Sequence, residues 1–232
     1  MRTEVGPQVS VLIPMHNAAP YIGEALESVL TQMVEIPEIV VVDDGSTDDS
    51  AEVVARFGAH VRYIGQARGG IAAARNAAMR HATGTWFAHL DADDRWPAAS
   101  LESRLAALAA DPSLEGVIGR FLSFVSPELE PEERARLHVP TDVRHGHVAG
   151  CALLHRDLFA RVGPLNESLA AGADLDWLVR AGEAGARLGR IDEIVLHRRL
   201  HRTNWSRTAR EVANASRLRI LKGVLDRRRR EE

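Results

Sequence analysis

The sequence predicts an α/β fold, a mixed but mostly parallel sheet flanked by helices, and three observations predict it. Apolar runs of strand length alternate with helical periodicity through the first half, as in Val9–Ile13 followed by the amphipathic stretch Tyr21–Met33. Two such runs close in clustered acids: Val40-Val41-Val42-Asp43-Asp44 and Trp86-Phe87-Ala88-His89-Leu90-Asp91-Ala92-Asp93-Asp94. A parallel strand covered on both faces reads as a continuous apolar run, and the carboxyl edge of such a sheet is where an open α/β fold binds its ligand. The third observation is bulk. A chain of 232 residues, 45% hydrophobic and 26% charged, has the composition of an ordinary globular protein and can bury a sizeable core.

Each element has a local reason. After the first strand, Val9–Ile13, the helix Tyr21–Met33 places Leu26, Val29, Leu30 and Met33 on one face. Glu38–Val42 is the second strand. Ser46 or Thr47 can cap the helix that follows, Asp48 and Asp49 favour its dipole, and Val53, Val54 and Phe57 supply its buried face. His60–Ile64 is the third strand. Gly69-Gly70 permits a tight turn into a helix over Ile71–His81 with Ile71, Ala74 and Ala78 inward, and Thr85–Leu90 is the fourth strand. Pro97 then opens a helix carrying Leu101, Leu105 and Leu108. The second half is less regular. It reads as a strand over Val117–Val125, a polar loop or flap over Ser126–His145, and an apolar stretch around Val148–Leu154. A helix over Asp174–Ala184, two short strands over Arg187–Ile191 and Ile194–Leu200, and a last helix over Thr208–Asp226 complete it.

Composition also excludes. A net charge of -3 gives no overall basic field for nucleic acid, and no run approaches the roughly 20 apolar residues that span a bilayer. The chain opens without a charged segment followed by an apolar core, and Cys151 alone cannot form an internal disulfide, so a cytoplasmic protein is expected. Arg227–Arg230 reads either as a solvated helix end or as a weak contact with anionic lipid or a partner. His145 and His147, without further ligands, suit a loop better than a zinc site. The acids at the strand ends are the chemistry-bearing feature. Hard oxygen ligands suit Mg²⁺ or Mn²⁺, and either cation can bridge carboxylates to a diphosphate.

With the strands placed, an ordered set of motifs resembles the family 2 glycosyltransferases of the GT-A fold. The matching pieces are Val9-Ser10-Val11-Leu12-Ile13-Pro14-Met15-His16-Asn17, Val42-Asp43-Asp44-Gly45-Ser46-Thr47-Asp48, Arg68-Gly69-Gly70 through Ala74-Arg75-Asn76, Leu90-Asp91-Ala92-Asp93-Asp94, Gly172-Ala173-Asp174, and Arg199-Leu200-His201 with Asn204. They extend over roughly residues 8 to 206. The resemblance implies one GT-A-like domain over 1–232, with a nucleotide-sugar half at 8–110, an acceptor and catalytic half at 111–206, and a C-terminal helix and basic tail at 207–232. It implies transfer of a sugar, with inversion, from a nucleotide-diphosphate sugar, a UDP-sugar being favoured, with Mn²⁺ or Mg²⁺ as cofactor. A small-molecule or peptide acceptor is expected from the short chain.

The resemblance also distributes roles. Asp93 would ligate the cation and His201 would complete the cation or diphosphate site, with Arg199 and Asn204 folding over the donor as a lid. Asp91 would face the ribose, and Asp94 is a substitute or supporting partner for Asp93. Asp44 would accept from base or ribose beside a loop formed by Pro14, His16 and Asn17. Arg75 would reach phosphate or pair with a strand-end carboxylate, and Ser46 would touch ligand or only cap a turn. Asp174 matches the base that takes the acceptor proton. The residue before that base is commonly Glu and here is Ala173. Asp176 is the alternative, and about 200° of helix separates the two, so only one can face the acceptor. Both acids would also suit a helix N-terminus without any chemistry. Trp177 would stack on an acceptor or sit in the core, and His89, where relatives usually carry a bulky apolar residue, is assigned to packing. Two other classes stay open: a nucleotide-sugar-binding module without turnover, and a different Mg²⁺-dependent phosphate-transfer enzyme. An aspartyl phosphatase would carry its acid pair on the first strand, whereas here the DxD follows the fourth.

Overall fold

The computed structural model describes residues 8–35, 38–135, 143–145, 149–202, 204, 216, 218–220, 222 and 223. In chain order the elements are β1 (Val9–Met15), α1 (Ile22–Leu30), β2 (Glu38–Asp44), α2 (Ser50–Ala55), β3 (Arg62–Gln66), α3 (Ile71–His81), β4 (Trp86–His89), α4 (Ser100–Ala110) and β5 (Gly116–Val125). Then follow α5 (Pro131–Ala135), β6 (Arg144–His145), β7 (Ala152–His155), α6 (Arg156–Val162), α7 (Ala173–Glu183) and β8 (Leu188–Leu200). The sheet order is β3-β2-β1-β4-β7-β5-β6, with β8 paired to β5 off that path. The first four strands run parallel, while β7 enters antiparallel between β4 and β5. β8 runs parallel along the other edge of β5, so β6 and β7 share one edge between them.

Strand order reverses beside β1, with β2 and β3 on one side and β4 on the other, and ligands of open α/β sheets bind at that switch point. β1 is longer than its apolar run suggests. It continues through Pro14, which pairs with Val42, so Pro14 is a buried strand residue and not part of the following loop. The carbonyl of Leu12 accepts from Leu90 N–H on the β4 side, and Pro14, two residues on, turns its nitrogen to that same side. β4 has ended there, so the missing N–H breaks no ladder bond. β1 and β4 part at this point and open the crevice that holds the site.

The core lies on both faces of β1. Val11 and Ile13 pack with Ala25, Leu26 and Val29 of α1 and Leu101 of α4, while Leu12 faces Val40, Val42 and the alanines of α3. A third cluster joins Leu158, Leu165, Trp177 and Ala181 beneath α6 and α7.

Several expectations change. α1 ends at Leu30 and buries Ile22, Ala25, Leu26 and Val29, leaving Leu30 and Met33 exposed, because the inward stripe lies one helical position earlier. Ile71 is likewise exposed, and α3 turns Ala72, Ala74, Arg75 and Ala78 inward. Neither Ser46 nor Thr47 caps α2. The Ser46 hydroxyl accepts from Asn17 N–H, Thr47 N–H donates to Asn17 Oδ1, and these bonds clamp the end of β1 to the end of β2. The two short C-terminal strands are one, because register shifts opposite Ile118–Phe121 absorb the polar Asp192-Glu193 as an irregularity within β8. Within the expected loop Ser126–His145, α5 and β6 form, and Ser126 and Leu129 are buried. Most of the expected final helix and Arg227–Arg230 lie outside the described residues.

Candidate active site

Acids at the ends of β2 and β4 reach the same crevice in different states. Asp43 makes the expected Asx-type turn: its Oδ1 accepts from Ser46 N–H at 2.8 Å and its Oδ2 from the Tyr63 hydroxyl at 2.7 Å. Asp44, 2% exposed, accepts from Gln66 Nε2 (2.8 Å), Gly69 N–H (2.7 Å), Gly70 N–H (2.7 Å) and Arg68 Nη1 (3.2 Å). Burial pushes this carboxyl up, but the two backbone N–H groups, Gln66 and the Arg68 charge together hold it below the usual range. A carboxylate offers about four acceptor sites, so Asp44 is occupied in shaping the loop ahead of α3. Gly70 enters α3 at φ 91°, a conformation that suits glycine. His16 Nδ1 lies 3.0 Å from the Asp44 carbonyl, and Asn17, at φ 47°, bonds to the Ser46–Thr47 segment. These bonds tie both residues to the end of β2.

At the end of β4 the chain turns, Asp94 N–H bonding Asp91 O at 3.0 Å, and Asp91, Asp93 and Asp94 each bring a carboxylate oxygen within 4.8 Å of the others. Asp91 accepts from Arg75 Nη2 at 2.6 Å. That bond is the pairing with a strand-end carboxylate expected of Arg75. Asp93 Oδ2 lies 2.9 Å from His201 Nε2 and 3.3 Å from Asn204 Nδ2, so two residues from beyond β8 meet the acid assigned to the cation. Asp94 is buried and accepts from Arg199 N–H at 2.8 Å. Burial, and then the charges of Asp93 and Asp91, push Asp94 well above the usual carboxylate range. Three oxygen donors repelling one another beside an imidazole form a set that a hard divalent cation would relieve, and the residues present fit Mg²⁺ or Mn²⁺.

Arg199 does not form a lid. It is 3% exposed, donating to the Asp93 carbonyl (2.9 Å), Ser126 Oγ (3.1 Å) and Glu24, with its guanidinium 4.7 Å from the Phe124 ring centroid. β8 runs through it, which makes it a hub beneath the acid turn. Sequence reasoning assigned nothing to Glu24, which pairs with both Arg95 and Arg199. Its only signal was an acid on the first turn of an apolar helix.

Asp174 occupies the first turn of α7, after Gly172 at φ 69°, and lines a small cavity together with Arg75. Burial would lower Arg75, but the charges of Asp91, Asp174 and Asp93 outweigh it and raise the guanidinium further. Asp176 is buried and tied to Arg180 Nε at 2.9 Å. The helix thus separates the two candidate bases, and only Asp174 is on the Arg75 side. Trp177 is a core residue, its Nε1 donating to Gly163 O at 2.8 Å and its ring stacked 4.3 Å from Phe159. Asn76, matched in sequence but given no role, bonds Leu165 N–H and O at 2.9 and 3.0 Å and Glu167 at 2.7 Å, anchoring the segment that leads to α7.

A reversed parallel sheet with an acid turn after β4 defines a GT-A-type fold. Staphylococcus aureus TarS, solved with UDP-GlcNAc, matches it with a TM-score of 0.68 at 19% identity over 85% of this chain and 60% of that one, a likeness of fold. The mannosyltransferase PcManGT of Pyrobaculum calidifontis, solved with GDP-Man and Mn²⁺, matches with a TM-score of 0.66 at 25% identity over 88% and 60%. The chain belongs to glycosyl transferase family 2, whose model matches residues 10–163. EpsJ of Bacillus subtilis (strain 168), an uncharacterized glycosyltransferase, is 31% identical over 205 residues, 81% of this chain and 59% of EpsJ. Chondroitin synthase of Escherichia coli is 29% identical over 235 residues, 95% of this chain and 33% of that protein. The chain therefore spans between a third and three fifths of the length of these two relatives. Asp174 and His201 lie beyond the family match. No helix among the described residues is long and apolar enough to cross a membrane.

Proposed function

We propose that this chain transfers a sugar from a nucleotide-diphosphate donor to an acceptor hydroxyl with inversion, dependent on a divalent cation. The observation that carries the reading is the acid cluster at the end of β4 facing Asp174 across Arg75, which bonds Asp91 and feels the charge of Asp174. Asp93 and His201 would hold the cation, with Asp91 and Asp94 beside them. When bound, Mn²⁺ or Mg²⁺ supplies Lewis-acid stabilisation of the charge that gathers on the diphosphate leaving group. Asp174 takes the acceptor proton while the hydroxyl attacks the anomeric carbon from the face opposite the leaving group. Arg75 keeps a fixed positive charge between Asp91 and Asp174, and Asp44 shapes the nucleotide cleft through Gly69 and Gly70. UDP is the favoured nucleotide.

The test is a thermal-shift panel of UDP, GDP, dTDP and CDP, each with and without Mn²⁺ or Mg²⁺. A ligand at about 100 times its Kd adds roughly 2.7 kcal/mol to apparent stability. A shift for one diphosphate that requires the cation is the expected result, and no shift with any of them overturns the reading. Binding without hydrolysis or transfer would move the assignment to a module that has lost turnover.

A further inference from the structure

Behind the acid turn lies a cavity of about 30 Å³ between the end of β4 and α7. Most of its wall is apolar, with Leu154, Phe159, Leu165, Trp177 and Leu178 among the lining residues, but Arg75, His89 and Asp174 also line it. Two buried nitrogens in this wall have no hydrogen-bond partner, Arg75 Nε and His89 Nδ1, on residues 6% and 3% exposed. Orphaned polar atoms at such depth are rare in folded proteins and call for an occupant. An empty cavity is normally apolar throughout, and an enclosed water prefers two to four polar partners. Here Arg75 Nε and His89 Nδ1 could hold a water, but the rest of the wall is apolar and would gain nothing from one.

The geometry points to a short N-acyl group, an acetamido substituent on a sugar, as the occupant of this cavity, with His89 as the residue that sets the preference. An amide carbonyl oxygen can accept from Arg75 Nε–H and from His89 in its Nδ1–H tautomer, while the methyl contacts the Leu and aromatic wall. A lone hydroxyl would satisfy the nitrogens and leave that wall facing a void. Arg75 is bonded to Asp91 and Asp174 stands in the same wall, so a pyranose held between those two acids places a substituent at the cavity. This rests on the donor-site reading above. His89, which the sequence assigned to packing, thereby becomes a specificity residue.

Isothermal titration of the full chain with Mn²⁺ present compares UDP, UDP-glucose and UDP-N-acetylglucosamine. A pocket with hydrogen-bonding groups discriminates more strongly than an apolar one, so UDP-N-acetylglucosamine is expected to bind at least about tenfold tighter than UDP-glucose. His89→Leu, and Ala152→Val as a narrowing change that alters no polar group, should each reduce that ratio to less than about threefold. A second arm adds free N-acetylglucosamine or glucose to the UDP complex, and discrimination appearing only there assigns the acyl group to the acceptor. Binding of UDP with no discrimination in either arm overturns this inference alone and leaves the cavity to water. Failure of every UDP compound to bind, or a preference for GDP, overturns it too, and absence of binding by any nucleotide removes the donor site itself. The wild-type comparison stands even where a variant does not fold.

Discussion

The ends of β2 and β4 look alike as sequence, each an apolar run closing in acids, but the protein treats them in opposite ways. Asp43 and Asp44 receive donors from Ser46, Tyr63, Gln66, Arg68, Gly69 and Gly70, three of them backbone N–H groups, and Asp44 is held below the usual carboxylate range. Asp91, Asp93 and Asp94 crowd within 4.8 Å of one another; against burial, Arg75 holds Asp91 below that range, while Asp94 is pushed well above it. A satisfied carboxylate is a structural joint, and a crowded set retains electrostatic free energy that a cation can release.

The largest effect expected tests the acid that belongs to neither group. Asp174→Ala should lower kcat by about 10²–10⁴-fold, the range for a positioned general base, while the Kd for UDP is retained. A matched loss of both would make Asp174 a structural helix acid. Asp93→Ala comes next: the Mn²⁺-dependent part of UDP affinity should fall about a hundredfold, read by titration with and without the cation. Persistence of cation-dependent binding would move the ligand role to Asp91 or Asp94.

At the β2 end the loss is one of stability. Asp44→Ala removes the acceptor of two backbone N–H groups in a buried setting and should cost about 2–4 kcal/mol in urea unfolding. His89 on β4 gives a smaller, pH-dependent effect. Burial, and then the Arg75 charge, lower it to about 3, so it stays neutral in the folded protein while the unfolded chain takes up a proton near pH 6.5. The unfolded state then binds more protons below that value, so stability falls as pH drops, by about 2 kcal/mol between pH 6.5 and 5. His89→Leu should flatten that limb of a stability-against-pH curve. The smallest effect has the opposite sign from that of Asp44. Asp94→Asn keeps an acceptor for Arg199 N–H but removes one of three crowded charges, and should stabilise the cation-free protein by about 1 kcal/mol. Destabilisation there would mean that the cluster is already neutralised by the protein.

Much of the fold was legible. Val40–Val42 and Phe87–Ala88 are buried on both faces and read as strands because helices cover each side of a parallel sheet. Errors fell where local rules compete. Pro14 suggested a loop, yet its nitrogen faces the place where β4 has ended. Ser46 and Thr47 had cap chemistry but serve Asn17 across 29 and 30 positions. In the site, the resemblance favoured Asp174 as the base with Asp176 as the alternative, and the structure ties Asp176 to Arg180. Nothing local could have shown the role of Arg199, whose partners Glu24, Asp93 and Ser126 come from three separate parts of the chain.

The sequence by itself determined the alternation of strands and helices and the acid tips of β2 and β4, because apolar periodicity and turn chemistry are properties of neighbouring residues, and its ordered motifs carried the resemblance to a glycosyltransferase family. Tertiary structure alone decided which acids are satisfied and which are crowded, that His201 meets Asp93 from 108 positions away, and that Arg75 and His89 border a cavity with unpaired nitrogens. The reason is that hydrogen bonds and charges act over a few ångströms, and the groups that complete or leave open each polar atom are brought there by the packing of distant elements.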